Sequence, residues 1–267
     1  MPLIQSRVPF TPQNPYRTKR PSTSKIIFLS CEGSVTEEEY FKCISDIFSV
    51  VKSKIQFISV AEDAVQTKPK FRTPDQEILL SKVRPKHLVE RIEAFIQDKN
   101  EIYQFSEYPD DEFWIVTDVD KNWSDEIIDS QNAKTYKDEW NEAIETCQEK
   151  GYFYAVSNPF FEIWLLLHHD CPDEEDKKYA VTDDHEYEPT SHFRERLACL
   201  NAQLKNQKHI NFSDYTEEKI KLAIQRAEQL HICKEDLCPK YFATTVYLLL
   251  QKIIELLPEY DSVRITI

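Results

Sequence analysis

Residues 112–120 read EFWIVTDVD, an apolar run rich in β-branched and aromatic side chains that closes on two aspartates one residue apart. An uninterrupted run of this length suits a strand covered on both faces, as in a parallel sheet flanked by helices. Three further stretches share its character and predict strands: KIIFLSCE at 25–32, KIQFISVA at 54–61 and GYFYAVSN at 151–158. Helical spacing fills the intervals. Tyr40, Phe41, Ile44, Ile47 and Phe48 predict a helix over about 36–50, opened by a capping box from Thr36 and Glu39. HLVERIEAFIQDK predicts a second helix after a Pro-interrupted loop at 62–86, and a third covers about 135–150. Asn158-Pro159 then reads as the N-cap and first turn of the apolar helix PFFEIWLLLHH. Strand and helix alternate four times, which predicts an α/β fold with a mainly parallel sheet flanked by helices.

The ends of the chain differ from this centre. Residues 1–24 hold five prolines, and the basic residues through Lys25 have no acid among them, so 1–24 is expected to be a flexible basic tail. The α/β domain is placed at 25–170, an acidic solvated loop at 171–188, and a helical C-terminal region at 189–267 with helices over 190–207, 215–231 and 242–257. Across its 267 residues the chain carries 33 Lys+Arg against 47 Asp+Glu, a formal charge of −14. That balance excludes a protein that holds nucleic acid by bulk positive charge, but not a nuclease whose metal ion brings phosphate to an acidic site. Seven cysteines without a C-x-x-C pair and a start without an apolar signal core imply a cytoplasmic setting. The most apolar stretch, 241–257, is interrupted by Gln251 and Lys252, so no membrane span is expected. With only Gly33 and Gly151, the chain has no P-loop, dinucleotide fingerprint or G-x-S-x-G elbow.

The chemistry is expected where strands end. Glu32 closes the first strand and Asp118 and Asp120 the third, so all three gather at the carboxyl edge of the sheet, where open α/β folds place ligands. On an extended chain residues i and i+2 point the same way, so the two aspartates can approach one hard cation, Mg²⁺ or Mn²⁺, with Glu32 as a further ligand or proton-transfer group. Gathered carboxylates repel unless a metal compensates them, although an aspartate that ends a strand is also a common turn residue. Glu162, amid Phe160, Phe161, Ile163 and Trp164, needs a partner: a salt bridge or strand-end hydrogen bond on one reading, a metal ligand or site-orienting group on the other. His168 and His169 close that helix, where a histidine is more often a cap than a catalyst. Lys68, Lys70, Arg72, Lys82, Arg84 and Lys86 form a basic loop that could guide a phosphate backbone, or simply be solvated. His231, Cys233 and Cys238 lack the second pair a zinc site requires.

Three segments in this order, IIFLSCEGSVTEEEYF, DEFWIVTDVDKNW and YAVSNPFFEIWLLLHH, resemble the RloB family of restriction-linked defence proteins over roughly residues 25–232. The resemblance implies a Toprim-like nuclease fold in which Glu32, Asp118 and Asp120 are the acidic triad, the aspartates holding Mg²⁺ and the glutamate moving a proton. Gly33 belongs to the first motif, and Asn158, Glu162 and His168 to the S-N-P-x-F-E-x-W-L-L-L-H segment, as groups that shape the site. Toprim D-x-D motifs are often followed by further acids; here Lys121 follows, and Asp125 is the next acid. The resemblance implies a metal-dependent nuclease of an abortive-infection system acting on RNA, tRNA foremost, or DNA beside an ABC-type ATPase. The competing readings are a non-catalytic module that senses nucleic acid or a phage product and regulates that ATPase, and a phosphohydrolase of small nucleotides. A chain this acidic needs a homodimer or a basic partner to hold long duplexes.

Overall fold

The computed structural model describes residues 25–48, 55–61, 68–74, 76–77, 82–200, 209–236 and 238–255; the basic tail and the last part of the C-terminal region lie outside them. In chain order the elements are β1 (Lys25–Cys31), α1 (Thr36–Ile47), β2 (Ile55–Ser59), α2 (Pro85–Tyr103), β3 (Glu112–Asp118), β4 (Ile127–Asp129), β5 (Lys134–Thr135), α3 (Tyr136–Lys150) and β6 (Phe153–Asn158). There follow α4 (Glu162–Leu167), α5 (Glu174–Lys177), α6 (His192–Cys199), α7 (Glu217–Leu230), β7 (Ala243–Thr244) and α8 (Val246–Ile254). The main sheet runs β2-β1-β3-β6-β7, and β4 and β5 form a small ribbon. Its first four strands are parallel, so all of them end at one edge, while β7 runs antiparallel to β6.

Alternation along the strands divides the core. Ile27, Leu29, Trp114, Val116 and Ala155 face a cluster completed by α1, α4, α6, α7 and α8. Ile115, Tyr154 and Val156 face α2 and α3 on the other side. A third group, around Ile26 and Phe28, packs the Phe28 ring against Tyr103 and Phe113 at 5.2 and 5.0 Å. Trp164, Leu165, Leu166 and Leu167 on α4 are wholly buried. Burial on that scale contributes roughly 1.5–3 kcal/mol per side chain and explains a six-residue helix that propensity alone would not hold.

Several local expectations change. The capping box at Thr36 does not form: Val35 is the N-cap of α1 without a side-chain cap, and Glu39 reaches across to His209 Nδ1 and the Ile210 N–H. A capping box does open α3, at Thr135 and Asp138. Asn158 is the last residue of β6 rather than a helix cap, because α4 begins only at Glu162. The acidic stretch 171–188 is not simply solvated. Its Asp173 and Asp176 cap α5, Asp176 is buried, and Val181 packs in the core. The C-terminal region is helical at α6, α7 and α8, but it also returns to the sheet through β7, and residues 201–208 and 256–257 of its expected helices lie outside the described residues. No helix among the described residues is long and apolar enough to cross a membrane.

Candidate active site

The ends of β1 and β3 lie side by side, with Cys31 opposite Val116. The Glu32 N–H continues that ladder to the Val116 carbonyl at 2.9 Å, which brings its side chain to the start of Asp118. Thr117 Oγ1 donates to Glu32 Oε2 at 2.6 Å and the Asp118 N–H to the same oxygen at 3.1 Å. Asn122 Nδ2 donates to the Asp118 carbonyl at 3.1 Å and lies 3.5 Å from Glu32 Oε1. Asp120 departs from the extended geometry that the D-x-D spacing suggests. It sits past the strand in a 3₁₀ turn at Asp120–Trp123, with a φ of 22°. A short polar side chain tolerates that region of backbone space better than most, and the Asn122 N–H donates to its Oδ1 at 3.0 Å. Asp120 is therefore carried by a tight turn and not by the strand.

A pocket of about 160 Å³ opens against Glu32 and Asp118, closed by Glu162 and Arg194 and by the turn from Gly33 to Glu37. Glu37, in the first turn of α1, is buried and accepts the Gly33 N–H at 2.9 Å. A Cβ on Gly33 would collide with that carboxylate, which is why glycine stands there. Glu162 resolves in favour of a salt bridge: Arg194 Nε meets its Oε1 at 2.8 Å, with the glutamate 13% and the arginine 46% exposed. It also lines the pocket beside Asp118, so the ion pair belongs to the site.

Electrostatics mark this cluster off. Burial raises the Glu32 carboxyl above its ordinary range, with the charge of Asp120 adding to the effect and the bonds from Thr117 and Asp118 opposing it. Burial likewise raises Asp118, reinforced by Glu32, Glu37 and Glu162, and raises Asp120 against the pull of the Asn122 N–H and Lys121. Glu37 is pushed up by burial, and by the charge of Glu162, to about 7. These hard oxygen donors in mutual repulsion fit Mg²⁺, which characteristically keeps its waters and takes one or two protein carboxylates together with substrate phosphate. Among the described residues, as placed, no three such side chains converge closely enough to enclose a metal, since Glu32 is turned onto Thr117 and the Asp118 N–H. Asp118 lines the pocket with Glu32, and Asp120 follows in the turn beyond the strand.

The remaining candidates fall elsewhere. His168 does not line the pocket. It is buried in the core, its Nε2 3.0 Å from the Tyr40 hydroxyl and its Nδ1 2.8 Å from the Trp164 carbonyl, and burial lowers its pKa to about 3. The Asn158 side chain points away from the pocket too, bonding the backbone of Val181 and the Pro239 carbonyl. The basic loop is divided. Arg84 pairs with Glu139 at 3.0 Å, Lys86 with Glu90 at 4.0 Å and Arg72 with Glu77 at 3.8 Å, whereas Lys68, Lys70 and Lys82 are exposed. Arg91, missed in the sequence, ties the loop to the site: it donates to the Cys31 carbonyl at 2.9 Å and the Lys82 carbonyl at 3.1 Å. His231 uses both ring nitrogens on Tyr247 and the Asp236 carbonyl, which leaves none for zinc. Glu37, Thr117, Asn122 and Arg194 escaped the sequence reading; the only local signal was Gly33, four residues before Glu37.

Neither the curated proteins nor the solved structures yield a match to this sequence. The family model for RloB-like protein matches residues 27–253, a span that holds the whole of the site just described. By that coverage the chain belongs to the RloB-like protein family.

Proposed function

We propose that this chain is a Mg²⁺-dependent nuclease that hydrolyses phosphodiester bonds in RNA, tRNA foremost, or DNA. The observation that carries the reading is the meeting of Glu32 and Asp118 at one pocket where β1 and β3 end, with Asp120 in the turn just beyond and each of the three carboxyls raised by burial. Asp118 and Asp120 would hold the metal, which when bound supplies a positive charge at the scissile phosphate and a more acidic water. Glu32, kept protonated beyond the ordinary carboxylate range, has a proton to give to the leaving oxygen. Thr117 and Asn122 hold Glu32 in place, Arg194 keeps Glu162 from adding a further uncompensated charge, and Lys68, Lys70 and Lys82 draw the phosphate backbone toward the edge. The likeness to restriction-linked proteins supports a place in anti-phage defence under the control of an ABC-type ATPase.

The test is cleavage of total tRNA and of plasmid DNA by the full-length protein in Mg²⁺ or Mn²⁺, with Asp118→Ala alongside. Metal-dependent cutting that falls at least about a hundredfold in the variant is expected, the scale on which removing a single charge-stabilising group acts. Equal cutting by Asp118→Ala would refute the assignment. If neither protein cuts, and calorimetric titration with Mg²⁺ gives the same heats for wild type and Asp120→Asn, the chain is a sensing module instead.

A further inference from the structure

On the other side of the sheet, between α3 and the segment 236–241, lies a cavity of about 510 Å³ that the site above does not use. Its floor is apolar, built from Val119, Trp140, Ile144 and Val181. Trp123 stands at its wall, edge to face with Trp140 at 6.4 Å. The Trp123 ring is fixed: its Nε1 donates to Asp183 Oδ1 at 3.2 Å, and Lys137, paired with the same carboxylate, covers its face at 4.3 Å. Asn158 braces the cavity by bonding Val181 and Pro239, both of which line it. At the rim, Asp236 is engaged by the Cys238 N–H and by Lys240 at 3.7 Å. Glu145 and Asp184 are exposed, with no partner for either carboxylate among the described residues.

We infer that this cavity seats one base of the substrate strand, a base with an exocyclic amino group, guanine foremost. The inference rests on the nuclease reading and deepens it by naming what the site selects. The volume suits a nucleoside, and the apolar floor suits a flat π-face. Carboxylates only accept hydrogen bonds, so the edge presented to Glu145 and Asp184 must donate. Guanine presents N1–H and the 2-amino group side by side to a single carboxylate; adenine and cytosine present an amino group, and uracil only an imide N–H. The acidic rim repels phosphate, so the base enters and its phosphate stays outside. Val119 gives the position its meaning, because it lies on the cavity floor directly between Asp118 and Asp120. A base that rests against Val119 touches the chain segment that carries the two aspartates.

The experiment is isothermal calorimetry on the full-length protein, without metal, using guanosine, adenosine, cytidine, uridine and guanosine 5′-monophosphate, with tRNA cleavage assayed in parallel. Guanosine should bind about tenfold or more tighter than uridine, the discrimination a two-donor contact supplies. The monophosphate should bind more weakly than guanosine at low salt, and the gap should close as salt is raised. Glu145→Gln and Asp184→Asn, both at exposed positions, should each weaken guanosine binding about tenfold with the melting temperature unchanged. Equal binding of uridine, tighter binding of the monophosphate, or indifference to both substitutions would overturn the assignment. Cleavage without nucleoside selectivity removes the base pocket alone, whereas selective guanosine binding by a protein that never cuts keeps the pocket and removes the nuclease reading.

Discussion

Asp170, Asp173 and Asp176 converge on one cation, whereas Glu32, Glu37, Asp118 and Asp120 converge largely on one another. In the first group Arg196 reaches Asp170 at 2.8 Å and Asp173 at 2.9 Å and also binds Asp176, which takes His192 Nε2 at 2.7 Å on its other oxygen. The Asp170 carboxyl is held below its ordinary range by the Arg196 bond, and that of Asp173 by the Asp176 N–H. In the second group all four carboxyls are raised. Arg194 pairs with Glu162 rather than with any of the four. Clustered acids are thus no guide to function by themselves; the difference lies in whether the fold supplies the counter-charge or leaves it to be brought in.

Substitution should separate the two groups most strongly. Arg196→Leu leaves Asp176, which is wholly buried, without its cation and should cost about 3 kcal/mol in urea denaturation. Asp118→Asn removes a carboxyl that burial and its acidic neighbours disfavour, and should instead stabilise the metal-free protein in urea denaturation at pH 8. A loss of stability in Asp118→Asn would make the strand-end acids structural and erase the contrast.

The effect of pH sharpens the same comparison. A carboxyl raised in the folded state stays protonated there after its unfolded counterpart has ionised, so stability falls as pH rises through the shifted range, from 4.5 to about 7 for Glu37. Asp170 and Asp173 have the opposite sign: their contribution is complete above 3.8 and is lost only as pH falls through their lowered values. His168, held neutral by burial, subtracts stability only below its ordinary 6.5. Glu32 is raised further, to about 8, so between pH 6.5 and 8 metal-free stability should decline, and both Glu32→Gln and millimolar Mg²⁺ should flatten the decline. A flat profile in the wild type would remove the uncompensated cluster.

The smallest effect concerns a residue that sequence placed beside the site. Tyr40→Phe leaves His168 Nε2 without its partner and should cost about 1–2 kcal/mol in thermal unfolding. Its calorimetric Mg²⁺ affinity should match wild type; a changed affinity would return His168 to the site.

The four parallel strands were legible because each is an apolar run with no competing period, and their carboxyl edge followed from the parallel order; β4, β5 and β7, two or three residues each, carry no such run. The positions of Glu32 and Asp118 at neighbouring strand ends were legible for the same reason, since a residue that ends a strand needs no tertiary information to be placed. Glu37 was not, because an acid in the first turn of a helix looks like an ordinary response to the helix dipole, and its burial comes from packing beneath Gly33. Arg194 lies 32 residues beyond Glu162 on a helix whose docking no local pattern records. Asn158 misled because the Asn-Pro cue for a helix start was overridden by the strand, which keeps Asn158 to bond Val181 and Pro239. Asp120 was expected to follow strand alternation, and a turn places it instead.

The last strand of the sheet sets the order in which the molecule can mature. Ser157 and Asn158 pair with Thr244 and Ala243, and the Val156 N–H is taken by Thr245 Oγ1 at 2.8 Å. Asn158 meanwhile waits for the Pro239 carbonyl, 81 residues further along. During synthesis, β1 and β3 leave the ribosome with their carboxylates long before the chain that covers the far side of β6. Contacts of such sequence separation close late, so the carboxyl edge of the sheet gains its rigid frame only when residues near 245 have emerged, and a truncated translation product carries the acids without the strand that braces β6.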